Sequence, residues 1–370
     1  MSPHNPKTAA TVVVAIAGLG LLLGGCTRPA PSGPTINTPY ADTDTDADAD
    51  SDTDTDADSD ADSDADTDAD TDTIPPGPRL RVVGWNIEFL GDVGSEEYDA
   101  VVSILQRLDA DVVVFNEIDP DEEDGLETLA DTLGHDEVLY PSSNPFGTQR
   151  NAMMARVDVQ TSRVWTGVDL SGDSAANDVT RYPVSMTVTP DGTDPITIVG
   201  SHLKSGEGDD DEFRRAVDAI RTAQAAQESG SARVLVLGDF NAEIDEGSGS
   251  PAAYTNIPSG MPGGYFLGDD LYDQLNGQGI ANNVFANLEN YGLVFVDAMQ
   301  LDGRDVTREE SGRRLDYIYA SQEVHDSYIR SEIYDPKDEV GGLEKSGEEP
   351  ERDATTKASD HLPVVIEFSY

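Results

Sequence analysis

The chain has 370 residues, with 23 Lys and Arg against 73 Asp and Glu, a formal net charge of −50 and a single cysteine. An intramolecular disulfide and a cysteine-built zinc site are excluded, and long-range attraction to polyanions is opposed by the charge. The charge is uneven: Asp holds every second position from Asp42 to Asp72, while residues 79–370 keep about −36, which reads as solubility or adaptation to salt.

Residues 1–26 read as a bacterial secretory signal. Lys7 supplies a positive start, and Ala9 to Leu23 form an apolar run too short and too glycine-rich for a membrane span. The run ends in Leu-Leu-Gly-Gly-Cys, which resembles the lipobox of bacterial lipoproteins. That resemblance implies that Cys26 becomes the first mature residue and carries acyl chains, each buried methylene adding to membrane affinity. Thr27 in place of Asp after the cysteine implies the outer membrane or cell surface within the cell envelope. Residues 27–78 are expected to be a disordered, extended linker, because like charges two positions apart repel and nothing apolar offsets chain entropy. The Gly and Glu positions of calcium-binding repeats are missing from it.

From Arg79 to Tyr370 the texture is that of one folded domain. Strands are predicted at Leu80–Val83, Val112–Phe115, Val157–Val159, Val184–Val188, Ile196–Gly200, Val234–Leu237, Val294–Val296, Leu315–Tyr319 and Leu362–Phe368. Several are apolar throughout, as strands covered on both faces must be. Helical spacing of apolar residues marks Tyr98–Leu108 and Phe213–Glu228. The mixture predicts an α/β (α+β) fold, two mixed sheets packed face to face with helices outside. Two polar stretches, Gly247 to Asn290 and Asp335 to Lys357, follow strands and are expected to wall a site.

The strands end in a recurrent way. They run into Trp85-Asn86-Ile87-Glu88, Asn116-Glu117-Ile118, Ser201-His202-Leu203, Gly238-Asp239-Phe240-Asn241 and Leu315-Asp316-Tyr317, and Ser359-Asp360-His361-Leu362-Pro363 precedes the last strand. Polar groups at one end of many strands converge on a common rim. Each fragment alone is a common turn or cap. All six in this order resemble the endonuclease/exonuclease/phosphatase (DNase I-like) family over essentially all of Arg79 to Tyr370.

The resemblance implies a four-layer sandwich and a metal-dependent hydrolase of phosphate esters. Asn86, Glu117 and Asp360 match the family's metal side, for Mg²⁺ or alternatively Mn²⁺ or Ca²⁺. His361 matches the histidine beside the attacking water, and Asp316 the acid that orients it. Asp239 and Asn241 match the pair that holds the attacked phosphate and the water, and His202 a second histidine on the leaving side. Asn116 departs from the family's usual Gln. Asn151 and Arg181 sit where the family often places Asn and Arg near the site, although a strand-edge amide and a surface ion pair explain them as well, and Lys204 is expected either to meet phosphate or to be solvated. The expected substrate is a phosphodiester, first a nucleic acid cut by a secreted endonuclease. The alternative is a phospholipid head group or small phosphate ester. A binding protein without chemistry is disfavoured by the joint presence of Glu117, Asp239, Asn241, Asp316, Asp360 and His361. A monomer is expected, touching the membrane through its lipid only.

Overall fold

The computed structural model describes residues 78–190, 193–244 and 284–369, all within one compact unit, Thr71–Tyr370. The leader with Cys26, the linker as far as Gly77 and residues 247–283 of the first polar stretch lie outside the described residues.

Strand β1 (Arg79–Asn86) leads through helix α1 (Glu96–Leu108) to β2 (Val112–Ile118), followed by α2 (Glu123–Leu133), β3 (Glu137–Leu139), β4 (Arg150–Ala155) and β5 (Val159–Val164). Next come α3 (Gly167–Ser171), β6 (Val184–Val188), β7 (Ile196–Gly200), α4 (Asp209–Glu228) and β8 (Val234–Asp239). The last part holds α5 (Val284–Asn290), β9 (Leu293–Val296), β10 (Asp316–Ser321), α6 (Gln322–Ser327), β11 (Tyr328–Ile333), α7 (Ala354–Ala358) and β12 (Val364–Ser369).

Two six-stranded sheets result, in the orders β11-β12-β1-β2-β4-β3 and β5-β6-β7-β8-β10-β9. Each is built on the same plan. One central pair is parallel, β1 with β2 and β7 with β8. A parallel pair needs a crossover, and α1 and α4 supply it. The remaining pairings are antiparallel.

The strand period of two sorts the core. Leu80 and Val82 of β1, Val112 and Val114 of β2, and Leu235 and Leu237 of β8 join one cluster between the sheets. Val83, Trp85, Val113 and Phe115 point the other way, under Val101, Ile104, Leu105 and Leu108 of α1. Val234, Val236, Tyr317 and Tyr319 do the same under α4 and α5. The layers are therefore helix, sheet, sheet, helix, the sandwich expected from the sequence. Gly84 and Gly200 allow the sheets to approach: an added Cβ would stand 2.8 Å from Leu237 Cδ1 and 2.5 Å from Val114 Cγ1 respectively.

Helix α1 starts where Ser95 accepts the Tyr98 N–H and ends at Asp109, whose left-handed backbone returns its N–H to Leu105 O. Four readings need correction. The strand expected at Val157–Val159 is Val159–Val164. Strand β4, Arg-Asn-Ala-Met-Met-Ala, carries no β-branched residue and is held by pairing with β2 and β3 on both sides. Residues 284–290 of the first polar stretch form helix α5. The second polar stretch is divided: Arg107 holds Glu339 and Ser346 N–H reaches Arg107 O on α1, while Thr355, Thr356 and Lys357 line a cleft beside Glu88 and Asp360.

Candidate active site

Parallel strands bring like ends together. The C-terminal ends of β1 and β2 deliver Asn86 and Glu117, and those of β7 and β8 deliver His202 and Asp239. Antiparallel neighbours begin on that same rim, so β4 supplies Asn151, β10 supplies Asp316, and the residue pair before β12 supplies Asp360 and His361. In register, Asp316 faces Asp239 directly.

Side chains stitch the two sheets across this rim. Asn86 Nδ2 donates to Asp239 Oδ2 at 2.9 Å. The Asp239 N–H donates to Asn116 Oδ1 at 2.9 Å, while Asn116 Nδ2 donates to Asn151 Oδ1 at 2.7 Å and Ser201 O at 3.2 Å. Asn151 in turn donates to Tyr182 O at 2.9 Å, so its amide ties β4 to the segment before β6 and holds a fixed orientation on the rim. His361 Nδ1 and Asp316 Oδ2 are 2.7 Å apart, both buried.

Backbone strain collects here. Among the described residues four non-glycine residues have positive φ, and three belong to the rim: Glu88 (52°), Glu117 (69°) and Asn241 (49°). Such conformations cost on the order of 1 kcal/mol each and persist where surrounding contacts over-determine them. Asn241 is held by its N–H to Asp239 Oδ1 at 2.8 Å and by its amide to Leu203 O at 3.1 Å. Gly238, before the aspartate, has no alternative: a Cβ there would lie 1.9 Å from Ser201 O.

Electrostatics separates the groups. Burial pushes the Asp239 carboxyl up to about 7, assisted by the nearby Asp316 charge. Burial disfavours a charged His361, but Asp316 outweighs it and holds the imidazolium up to about 10. His202 is fully buried and is driven well below the usual histidine range, first by burial and then by Arg181. Among the described residues neither of its ring nitrogens has a hydrogen-bond partner, although Nε2 lies 3.5 Å from Glu117 Oε1 and 3.6 Å from Asp239 Oδ2. Glu88 is raised by burial and then by Asp360 and Glu117.

Glu117, His202 and Asp239 present ligand atoms all within 4.8 Å of one another. Atoms bound to one divalent cation at about 2.0–2.2 Å stand about 3–4.3 Å apart, and the separations of His202 Nε2 from Glu117 and Asp239 fall in that range. A neutral imidazole, unpaired among the described residues, between two carboxylates is the observation that supports such an ion. Asn86 lies at the edge of this group through Asp239. Asp360 faces Glu88 instead, with Arg308 Nε on its Oδ2 at 2.6 Å and His361 Nε2 at 3.7 Å from Oδ1.

Two of the substrate candidates behave differently. Arg181 is driven down by burial while Glu117, Asp218 and Asp239 oppose this, so its charge belongs to the rim. Lys204 is instead paired with Asp211 at 2.9 Å. Sequence reading passed over Glu88, which lies two residues beyond the end of β1 with a left-handed backbone, where strand periodicity carries no signal. Gln149, donating to Glu117 Oε2 at 2.7 Å, and Arg308 carried no signal either.

A sequence model of the endonuclease/exonuclease/phosphatase family matches residues 83–361. The chain belongs to this family. Its members are metal-dependent hydrolases of phosphate esters, and this chain is an enzyme of that class. Among solved structures it is similar to the family protein from Beutenbergia cavernae at 17% identity, covering 79% of this chain and 71% of that one with a TM-score of 0.50. It is similar to the Leptotrichia buccalis member at 15% identity, covering 79% and 100% with a TM-score of 0.50. The human Nocturnin catalytic domain aligns at 18% identity over 79% and 93%, with a TM-score of 0.49. No curated protein matches the chain in sequence.

Proposed function

We propose that this enzyme is a lipid-anchored, Mg²⁺-dependent phosphodiesterase of the bacterial cell envelope, acting on small or short phosphodiesters. The carrying observation is His202 between Glu117 and Asp239, with Asp239 in register with Asp316 of the Asp316–His361 pair on its other side. Glu117 would be the principal metal ligand, closed by Asp239 and His202 on one side and by Glu88 and Asp360 on the other. A bound divalent cation supplies positive charge beside the phosphate.

The protein groups divide the work. Asp239 and Asn241, tied by the Asn241 N–H to Asp239 Oδ1 at 2.8 Å, orient the attacking water beside the metal group. His361 is cationic at neutral pH and holds the phosphate oxygen on which charge grows, with Asp316 fixing its ring. Arg181 adds a second cation.

The small-substrate reading rests on the surroundings. A cleft of about 360 Å³ opens beside Asp360 and Glu88 and is lined also by Glu97, Glu309 and Glu310. Lys357, on the same wall, is engaged by Glu96 at 2.9 Å and Glu351 at 2.6 Å. A long polyanion finds little there to neutralise it. A short single-stranded nucleic acid is the second reading, favoured by Phe89, 53% exposed on that cleft and able to stack a base.

The test is a panel of plasmid DNA, RNA oligonucleotide, sphingomyelin and bis(4-nitrophenyl) phosphate, each with Mg²⁺ and with chelator. Metal-dependent cleavage of the small diester is expected to exceed that of plasmid. Failure to hydrolyse any of the four with Mg²⁺ or Mn²⁺ would sink the proposal.

A further inference from the structure

Helix α4 is buried along most of its length, yet it carries a polar row at Arg215, Asp218 and Thr222, which are 9%, 2% and 1% exposed. Spacings of three and four place these side chains on one face. Burying them is costly unless every polar atom finds a partner. The Arg215 guanidinium donates to the carbonyls of Asn241 and Gly206. Asp218 Oδ1 accepts the Thr180 N–H at 2.8 Å, and its Oδ2 accepts the Lys204 N–H at 3.0 Å. The Thr222 hydroxyl meets the Ser201 hydroxyl at 2.7 Å and donates to Asp218 O at 2.8 Å. Three of these contacts fall on or next to a rim residue: Arg181 follows Thr180, His202 precedes the Leu203-Lys204 segment and follows Ser201, and Asn241 is held directly.

We propose that Asp218 is a positioning residue for the hydrolytic site. With Arg215 and Thr222, it sets the relative placement of the segments that carry Arg181 and His202. A carboxylate suits this because each oxygen takes one backbone N–H from a different segment, and no strand pairing ties Thr180 to Lys204. The link continues above the row, where Arg181 Nη1 and Asn241 Nδ2 both donate to Leu203 O, at 3.4 and 3.1 Å. Misplacement of such groups by about 1 Å costs up to about a hundredfold in rate. This inference rests on the phosphodiesterase reading.

The experiment is a double-mutant cycle on the full chain, following bis(4-nitrophenyl) phosphate hydrolysis with Mg²⁺. Asp218→Asn offers one acceptor in place of two, and kcat should fall by about tenfold or more. In an Arg181→Ala background the same change should cost clearly less than in the parent, since one of the two groups it places is gone. Equal losses in both backgrounds, or a folded Asp218→Asn protein within about twofold of the parent, would overturn the inference. If Asp218→Asn does not fold, Thr222→Val, which keeps volume but frees Ser201, enters the same cycle against His202→Ala. Non-additive losses are again expected, and additive ones overturn the inference. A parent protein inactive on every phosphodiester overturns the functional reading itself, a result distinct from additivity.

Discussion

Asn116 Oδ1 accepts the backbone N–H of Asp239 at 2.9 Å, so a side chain at the end of β2 holds the main chain at the end of β8. The two residues lie in different sheets, and Asn116 is fully buried between them. Here the family usually carries the longer Gln, and the shorter amide reaches because Gly238 lets the β8 backbone come close. Asn116→Ala should leave the Asp239 N–H and Asn151 amide without this partner and cost about 2–4 kcal/mol, as buried unsatisfied polar groups do. Urea unfolding measures it, and a loss below about 1 kcal/mol would contradict the cross-tie.

Removing the charge of Glu117 tests the metal assignment. Glu117→Gln keeps the shape and should weaken Mn²⁺ binding, read by calorimetry, by about tenfold or more. Chelator should abolish activity of the parent. Activity that survives exhaustive chelation would show that no exchangeable metal is needed.

The pH profile follows from His361, whose proton Asp316 holds. His361 must stay protonated, so activity should fall as pH passes about 10. Because the His361 value is raised on folding, its pairing with Asp316 also contributes stability that is complete below pH 6.5 and lost as pH rises through about 10. The profile is read as log kcat/KM against pH at saturating Mg²⁺. A basic limb unchanged in an Asp316→Asn variant would remove His361 from that assignment.

His361→Ala should lower turnover by about a hundredfold or more while circular dichroism stays native. Adding Asp316→Asn should then cost little, because the acid acts through the histidine. Fully additive losses would mean that the two do not work as a pair.

The anchor is checked separately. Cys26→Ser should move the protein from the membrane fraction to the soluble one, and mass spectrometry of the parent should find acylated Cys26 without residues 1–25. An intact Met1 would end the lipoprotein proposal. Deleting residues 35–78 should leave turnover on a soluble substrate within a few-fold, roughly as expected of a tether.

Much of the site was legible because its residues sit at strand ends, and strand ends are what periodicity locates best. Asn86, Glu117, His202, Asp239, Asp316 and His361 each close or open a short apolar run. Once those runs form two sheets with parallel centres, their ends must meet on one rim. The layer order followed from apolar faces at period two in strands and near 3.6 in helices. Strand β4 was not legible, since Arg-Asn-Ala-Met-Met-Ala takes its conformation from neighbours on both sides.

Roles needed coordinates. Periodicity carries no information about which acid a histidine meets across a rim, so the pairing of His361 with Asp316 and the position of His202 between two carboxylates depend on how the sheets pack. The same holds for Lys204, taken by Asp211, and for Asp218, an ordinary helix acid in sequence that becomes a tie between two loops. Sequence determines which chemical groups are available and which end of a strand they occupy. Their ionisation and partners arise from burial and distance, and those exist only once both sheets have closed on each other.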